Sequence, residues 1–218
     1  MDNTSRVISE ILFPALYETV YMVIFASIYS AIVGIFFGIV LTISDFNGLR
    51  PNKYIYNGLD FMINILRSFP FVVLAIAILP VTKLVVGTSI GVKAAMLPLV
   101  IVMAPYVAKM IEADLKKVDC GMIEAAKSFG ASNMQIICKI MLKEALPSMV
   151  LSLTLITVSM VGASAMAGAI GAGGLGSVAM IYGYQSFNDF IMYGTVFIIV
   201  ILVQFIQSIG NYLYKKLN

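Results

Sequence analysis

Three stretches of the chain contain no charged residue: Thr19 to Ser44, Ala145 to Asn188 and Phe190 to Tyr214. About 20 predominantly apolar residues suffice for a helix to cross a bilayer. The first and last stretches therefore each predict one span. The middle stretch is too long for one, and its second half is rich in glycine. It reads as a helix over 148–169 followed by a Gly-rich segment on the outer side. Between Asp60 and Lys109 lie two weaker stretches. One, over 60–82, contains Arg67 and Pro70; the other, over 93–110, contains Pro98 and Pro105. The pattern predicts one all-α membrane domain over 1–218. Its five spans lie at 17–44, 60–82, 93–110, 148–169 and 190–214, with a polar segment over 111–146.

Composition changes little in this picture but closes other routes. Of 218 residues, 61% are hydrophobic and 11% charged, with a mean hydropathy of +0.99. A soluble domain carries about 25% charged residues. Membrane lipid is thus the expected surrounding. The net charge of +3 is too small to imply a nucleic-acid partner. There is no histidine, which removes His-based triads, metal sites and proton relays. Cys120 and Cys138 match no zinc spacing, and no metal site is expected. The 11 acidic residues are scattered or confined to the polar segment, so no paired-carboxylate active site is foreseen.

Charge position sets the expected orientation. Arg50, Lys53, Lys109, Lys116, Lys117, Lys127, Lys139, Lys143, Lys215 and Lys216 fall in one set of loops. Arg6, Lys83 and Lys93 fall in the other. The first set is expected in the cytoplasm, with the N-terminus outside and the C-terminus inside. Asp2, Glu10 and Glu18 around a long first span do not resemble a cleaved signal.

The polar segment is patterned. Asp119 suits a helix N-cap, 120–129 reads as a short helix, and Gly130 suits its C-terminal stop. Ser132 with Gln135 forms a capping box for a second helix that feeds the fourth span. Met122, Ala126 and Phe129 make an apolar stripe on the short helix. A helix so short needs a surface to dock on. That surface is either the protein's own cytoplasmic helices or a groove on a partner.

Glu124-Ala125-Ala126, with Gly130, Ile140 and Leu142 downstream, resembles the EAA motif of membrane permease subunits of bacterial ABC importers. Lys143 stands where that pattern has proline, and a Leu-Pro pair follows at Leu146-Pro147. The segments Asn64–Phe71, Val86–Gly91, Ala104–Ala108 and Gly171–Gly176 resemble the methionine-uptake permeases in particular. The resemblance implies a five-span inner-membrane subunit that pairs with a second copy of itself. It implies an ATPase subunit that binds the ATP, an extracytoplasmic substrate-binding (lipo)protein, and no cofactor or enzymatic activity in this chain. Met122, Glu124, Ala125, Ala126, Phe129 and Gly130 would form the ATPase-coupling helix.

Asn64, Arg67, Ser159, Gly162, Ser164 and Met166 are candidates for the translocation path or gate. For the small residues of span four, plain helix packing is the competing reading. For Arg67 it is snorkelling to the interface. Gly34 and Gly38 read as a close-packing pair. Gly171, Gly173 and Gly176 match G-x-G-x-x-G, but follow a membrane span rather than a strand, so a turn or re-entrant segment is expected. No P-loop is present. Two rivals remain open at this level. One is a different cargo, such as another amino acid or small polar solute. The other is a different class, namely a small channel or structural membrane subunit. A secondary transporter would show matching halves, and no internal repeat is visible.

Overall fold

The structure is a computed structural model that describes residues 7–217. Asp2 and Arg6, which entered the orientation argument, lie outside the described residues. Every regular element among the described residues is helical. A π-helical turn, Val7–Leu12, leads into α1, Phe13–Ser44. Next come α2, Lys53–Ser68, α3, Phe71–Ala77, and α4, Leu79–Val86. The long α5 is Val92–Leu115, and the short α6 is Cys120–Ser128. Helix α7, over 133–167, has a π-helical turn at Ile137–Met141. Helix α8 is Gly174–Val178, and α9 is Asp189–Leu217.

Four helical stretches among the described residues are long and apolar enough to cross a membrane: Ile8–Ser44, Val92–Leu115, Asn133–Ala172 and Asp189–Leu217. The expected span over 60–82 takes another form. It is split into α2, α3 and α4, and α2 meets α3 at a bend of 101°. Proline disfavours helical geometry in the residue before it. Phe69, just before Pro70, is accordingly extended, with φ −80° and ψ 132°. Charge counting locates apolar length but not such a bend, which is why the pattern reads as one span.

Close approach of α1 and α5 organises the bundle. A Cβ on Gly34 would meet the Ala104 carbonyl at 2.8 Å, and one on Gly38 would meet the Ala108 carbonyl at 2.8 Å. Without hydrocarbon-driven collapse, helices in lipid associate through such backbone proximity. One core joins Met22 and Ala26 of α1, Leu99 of α5, and Met160 and Val161 of α7. A second core, toward the short helix, joins Val107, Ile111 and Leu115 to Ile136, Met141 and Met149. Helix α9 buries only Ile191, Thr195 and Gly210. Phe197, Ile201 and Phe205 remain exposed, the pattern of a peripheral helix facing acyl chains.

The Gly-rich turn is held by α1. Gly171, Gly173 and Gly174 have φ of 98°, 87° and 73°, a region that glycine enters without a Cβ penalty. The Glu18 carboxylate accepts from the Gly174 N–H at 2.6 Å, and the Thr19 hydroxyl accepts from the Leu175 N–H at 2.8 Å. The anion-accepting start of α8 is thus filled by a side chain of the same subunit.

Gly38→Leu is expected to lower the thermal unfolding midpoint in detergent, by the overpacking cost of about 1–3 kcal/mol or more. Gly58 has open space around its Cβ position. Gly58→Ala should leave the midpoint unchanged or raise it, by up to about 1 kcal/mol of helix propensity. A midpoint unaffected by Gly38→Leu would show that the α1–α5 approach tolerates separation.

Candidate translocation and docking sites

Two regions emerge from this scaffold. The first is a hollow of about 450 Å³ between the α2–α3 break, α5 and α7. Its walls include Phe69, Phe71, Met103, Tyr106, Ser159 and Met166. Leu155, Ser159, Gly162 and Met166 fall at helical spacing along one exposed face of α7. A Cβ on Gly162 would meet nothing within 4 Å. Gly162 therefore does not mediate close packing within the subunit. Gly168 does: a Cβ there would meet the Ser177 nitrogen at 2.6 Å. Ser164 is separated from this face. It is buried, and its hydroxyl donates to the Val161 carbonyl at 2.8 Å.

Asn64 and Arg67 occupy the last two turns of α2. The Asn64 amide donates to Asp60 at 2.9 Å. The Arg67 guanidinium lies 5.0 Å above the centre of the Tyr106 ring. The Tyr106 hydroxyl donates to the Arg67 carbonyl at 3.1 Å, which caps an orphan carbonyl at the helix end. Arg67 is therefore fixed against α5 rather than left to wander toward the interface.

Sequence spacing misses the charge network below it. Lys109 donates to Asp60 and to Glu112, each at 2.6 Å. Lys116 donates to Glu112 at 2.8 Å and pairs with Asp45 at 3.1 Å. The Tyr56 hydroxyl also donates to Glu112, at 3.0 Å. The network ties the end of α1, the length of α2 and the end of α5 together. Burial alone would lower the affinity of Lys116 for its proton, but its bonds to Glu112 and Asp45 outweigh that and hold its pKa above the ordinary lysine value. A neighbouring pair links α5 to α7: the Ser152 hydroxyl donates to buried Asp114 at 2.6 Å, and Lys117 pairs with Asp114 at 2.9 Å. The i,i+3 and i,i+4 acid–base spacings on α5 were the one sequence signal for this network. Its cross-helix members are too distant along the chain to read.

The second region is α6. Asp119 caps it by accepting from the Gly121 N–H at 2.6 Å. Gly130 follows with φ 80°. The Ser132–Gln135 capping box is formed in both directions. The apolar stripe divides. Ala126 turns with Ile123 onto the protein's own core beside Ile136 and Met141. Met122, Ala125 and Phe129 stay exposed, as does Glu124. Ile123 is the residue the stripe reading leaves out; at i,i+3 from Ala126 it marks the inner face. The inner side of α6 thus docks on the protein's own helices, while its other side is left exposed. Cys120 and Cys138 are free and exposed.

The helical bundle thus carries a hollow beside the α2–α3 break and a short helix, α6, with one exposed side. Residues 34–218 match the family described as binding-protein-dependent transport system inner membrane component. The chain is 47% identical over 181 residues to the probable D-methionine transport system permease protein MetI of Vibrio cholerae, covering 83% of this chain and 80% of that protein. It is 43% identical over 173 residues to the methionine import system permease protein MetP of Bacillus subtilis, covering 79% of this chain and 78% of that one. It superposes with a TM-score of 0.96 on a chain of the MetNI methionine ABC transporter in inward-facing conformations, at 35% identity and full coverage of both chains. An amino acid ABC transporter chain solved with histidines matches at a TM-score of 0.79 and 21% identity, a likeness of fold. This chain belongs to the family of binding-protein-dependent transport system inner membrane components. It is a multi-pass inner-membrane transport subunit, not an enzyme.

Glu112→Gln should leave two partly buried ammonium groups short of a charged acceptor, at a cost of about 1–3 kcal/mol. A lowered unfolding midpoint in detergent checks this. Placing the same change in a Lys109→Met, Lys116→Met background should shrink the loss. An equal loss in both backgrounds would mean that Glu112 acts elsewhere.

Proposed function

We propose that this chain is the membrane permease of an ATP-driven importer for methionine, acting as a homodimer with a separate cytoplasmic ATPase and an extracytoplasmic binding (lipo)protein. The observation that carries this reading is the match of the whole chain to MetNI at a TM-score of 0.96, joined to 47% identity with a methionine permease. The exposed outer side of α6 supports a docking role. A channel would have no use for a capped, nine-residue helix whose apolar Met122, Ala125 and Phe129 point away from its own core.

In this reading ATP binding draws together two ATPase subunits, each a chain separate from the permease. Each carries an α6 helix seated in a surface cleft. Glu124 lies near the helix N-terminus, where a carboxylate is favoured by about 0.3–1 kcal/mol, and is placed to meet a basic group of the cleft. Ala126 and Ile123 bind α6 to its own subunit, so that movement of the cleft is passed on. The capping box at Ser132 starts α7 two residues after Gly130, and α7 carries the movement to Ser159, Gly162 and Met166. Those residues line the path together with Asn64 and Arg67, alternately opened to each side. Ser164 contributes through packing of the same helix. The α6 side is cytoplasmic, the N-terminus is outside and the C-terminus inside, which puts the six lysines over 109–143 on the inner face.

Two measurements test this. A membrane-impermeant thiol reagent should label Cys120 and Cys138 in inverted vesicles and not in intact cells. Labelling of either in intact cells overturns the orientation. In the reconstituted complex, Gly130→Val and Glu124→Lys should keep normal permease levels while uptake falls at least tenfold and the loaded binding protein no longer stimulates ATP hydrolysis. Transport at the unmutated rate by both variants would remove α6 from the coupling path.

A further inference from the structure

Arg67 stands apart from the cations around it. Lys109, Lys116 and Lys117 are each ion-paired. Among the described residues, Arg67 has no carboxylate within 4 Å; one guanidinium nitrogen donates to Asn64 at 3.5 Å, the limit of a hydrogen bond, and the buried Nε has no partner. Tyr106 nonetheless holds it from two sides, by its ring at 5.0 Å and by its hydroxyl on the Arg67 carbonyl. Tyr106 lies nine residues before the end of α5, roughly 14 Å up the helix from that end. An arginine at membrane depth is costly and marks a pathway or a ligand unless it is paired. Here a cation–π contact with Tyr106 stands in place of a counter-charge.

The same Tyr106 forms a wall of the 450 Å³ hollow, beside Met103, Met110, Met166, Phe69 and Phe71. That volume lies in the range of small-molecule sites, about 300–1,000 Å³. Its lining is apolar and rich in thioether sulfur, which suits an unbranched apolar side chain. The α2–α3 break beside it is the carbonyl end of a 16-residue helix, where Tyr106 takes only the Arg67 carbonyl; a helix's carbonyl end favours a cation. Discontinuous helices in transporters commonly bind charged substrate groups at their broken ends.

We propose that the α2–α3 break is a transient binding site for the zwitterionic amino acid in transit. Arg67 takes the carboxylate, in the paired N–H geometry that arginine offers. The carbonyl end of α2 receives the ammonium, and the hollow receives the apolar side chain. Tyr106 is the positioning residue for Arg67. The site rests on the proposed importer function and names where, within the permease, the cargo is recognised after it leaves the binding protein.

The test uses the complete complex of permease, ATPase and binding protein in liposomes. The probe is photo-methionine, an analogue whose side chain cross-links on illumination. Cross-linked peptides should come from the α5 segment over 103–110 and the α7 segment over 155–166. Methionine should compete with the labelling, and methioninamide, which lacks the carboxylate, should not. Arg67→Gln should reduce labelling and methionine uptake at least tenfold, while ATP hydrolysis stimulated by the binding protein stays within twofold. Arg67→Lys should retain a third or more of the labelling. If Arg67→Gln fails to assemble, Arg67→Lys and Tyr106→Phe carry the same comparison, each with a smaller loss. If the unaltered complex transports methionine but labels elsewhere, or if Arg67→Gln labels and transports like the unaltered chain, the site is overturned and the importer function stands. Failure of the unaltered complex to transport methionine overturns the importer function instead.

Discussion

Every peptide group at membrane depth must find a partner inside the protein, because hydrocarbon offers none. Unbroken helices meet this condition automatically. Two of this subunit's helix breaks, the one between α2 and α3 and the one at the Gly-rich turn, each have a dedicated repair. At the α2–α3 break the Tyr106 hydroxyl takes the Arg67 carbonyl. At the Gly-rich turn Glu18 and Thr19 take the first N–H groups of α8, and the Gly91 N–H donates to the Gly171 carbonyl. Both repairs come from segments distant in the chain, so the broken ends are satisfied only once the bundle has assembled. Those few bonds lie beside Arg67, the hollow and the Gly-rich turn.

The same constraint explains what could be read from the chain and what could not. Charge-free length locates α1, the apolar part of α7 and α9, and a weaker apolar stretch between Lys93 and Lys109 locates α5, because a span needs about 20 predominantly apolar residues. Local rules account for Asp119, Gly130 and the Ser132–Gln135 box, because capping is decided within four residues. The bend at Pro70 escapes such rules. Proline announces an interruption, but its direction depends on Tyr106 and the α5 surface. The network around Glu112 escapes them too: Tyr56 and Asp60 come from α2, Asp45 from the end of α1. Only the bundle makes them neighbours.

The candidate path residues divide on the same line. Ser159, Gly162 and Met166 share a helical face, a relation fixed by 3.6-residue periodicity. Ser164 belongs to another face, and only the packing of α7 on α1 and α5 decides that it is buried. Helix α6 shows the reverse case. Its inner side was available from periodicity through Ile123 and Ala126. Weighting the larger Met122 and Phe129 instead merges two faces that the structure keeps apart.

Helix α7 begins at the capping box beside α6 and continues without a non-helical residue to Ala167, next to the Gly-rich turn. At 1.5 Å per residue it is roughly 50 Å long. A rod of that length is a lever. If the end next to α6 were its pivot, a tilt of five degrees would sweep the far end through about 4–5 Å, nearly one helical pitch. A displacement of that size is comparable with the width of a side chain. A small rotation at one end would thereby be enlarged at the other, less what the π-helical turn at Ile137–Met141 and Pro147, both near the α6 end, absorb.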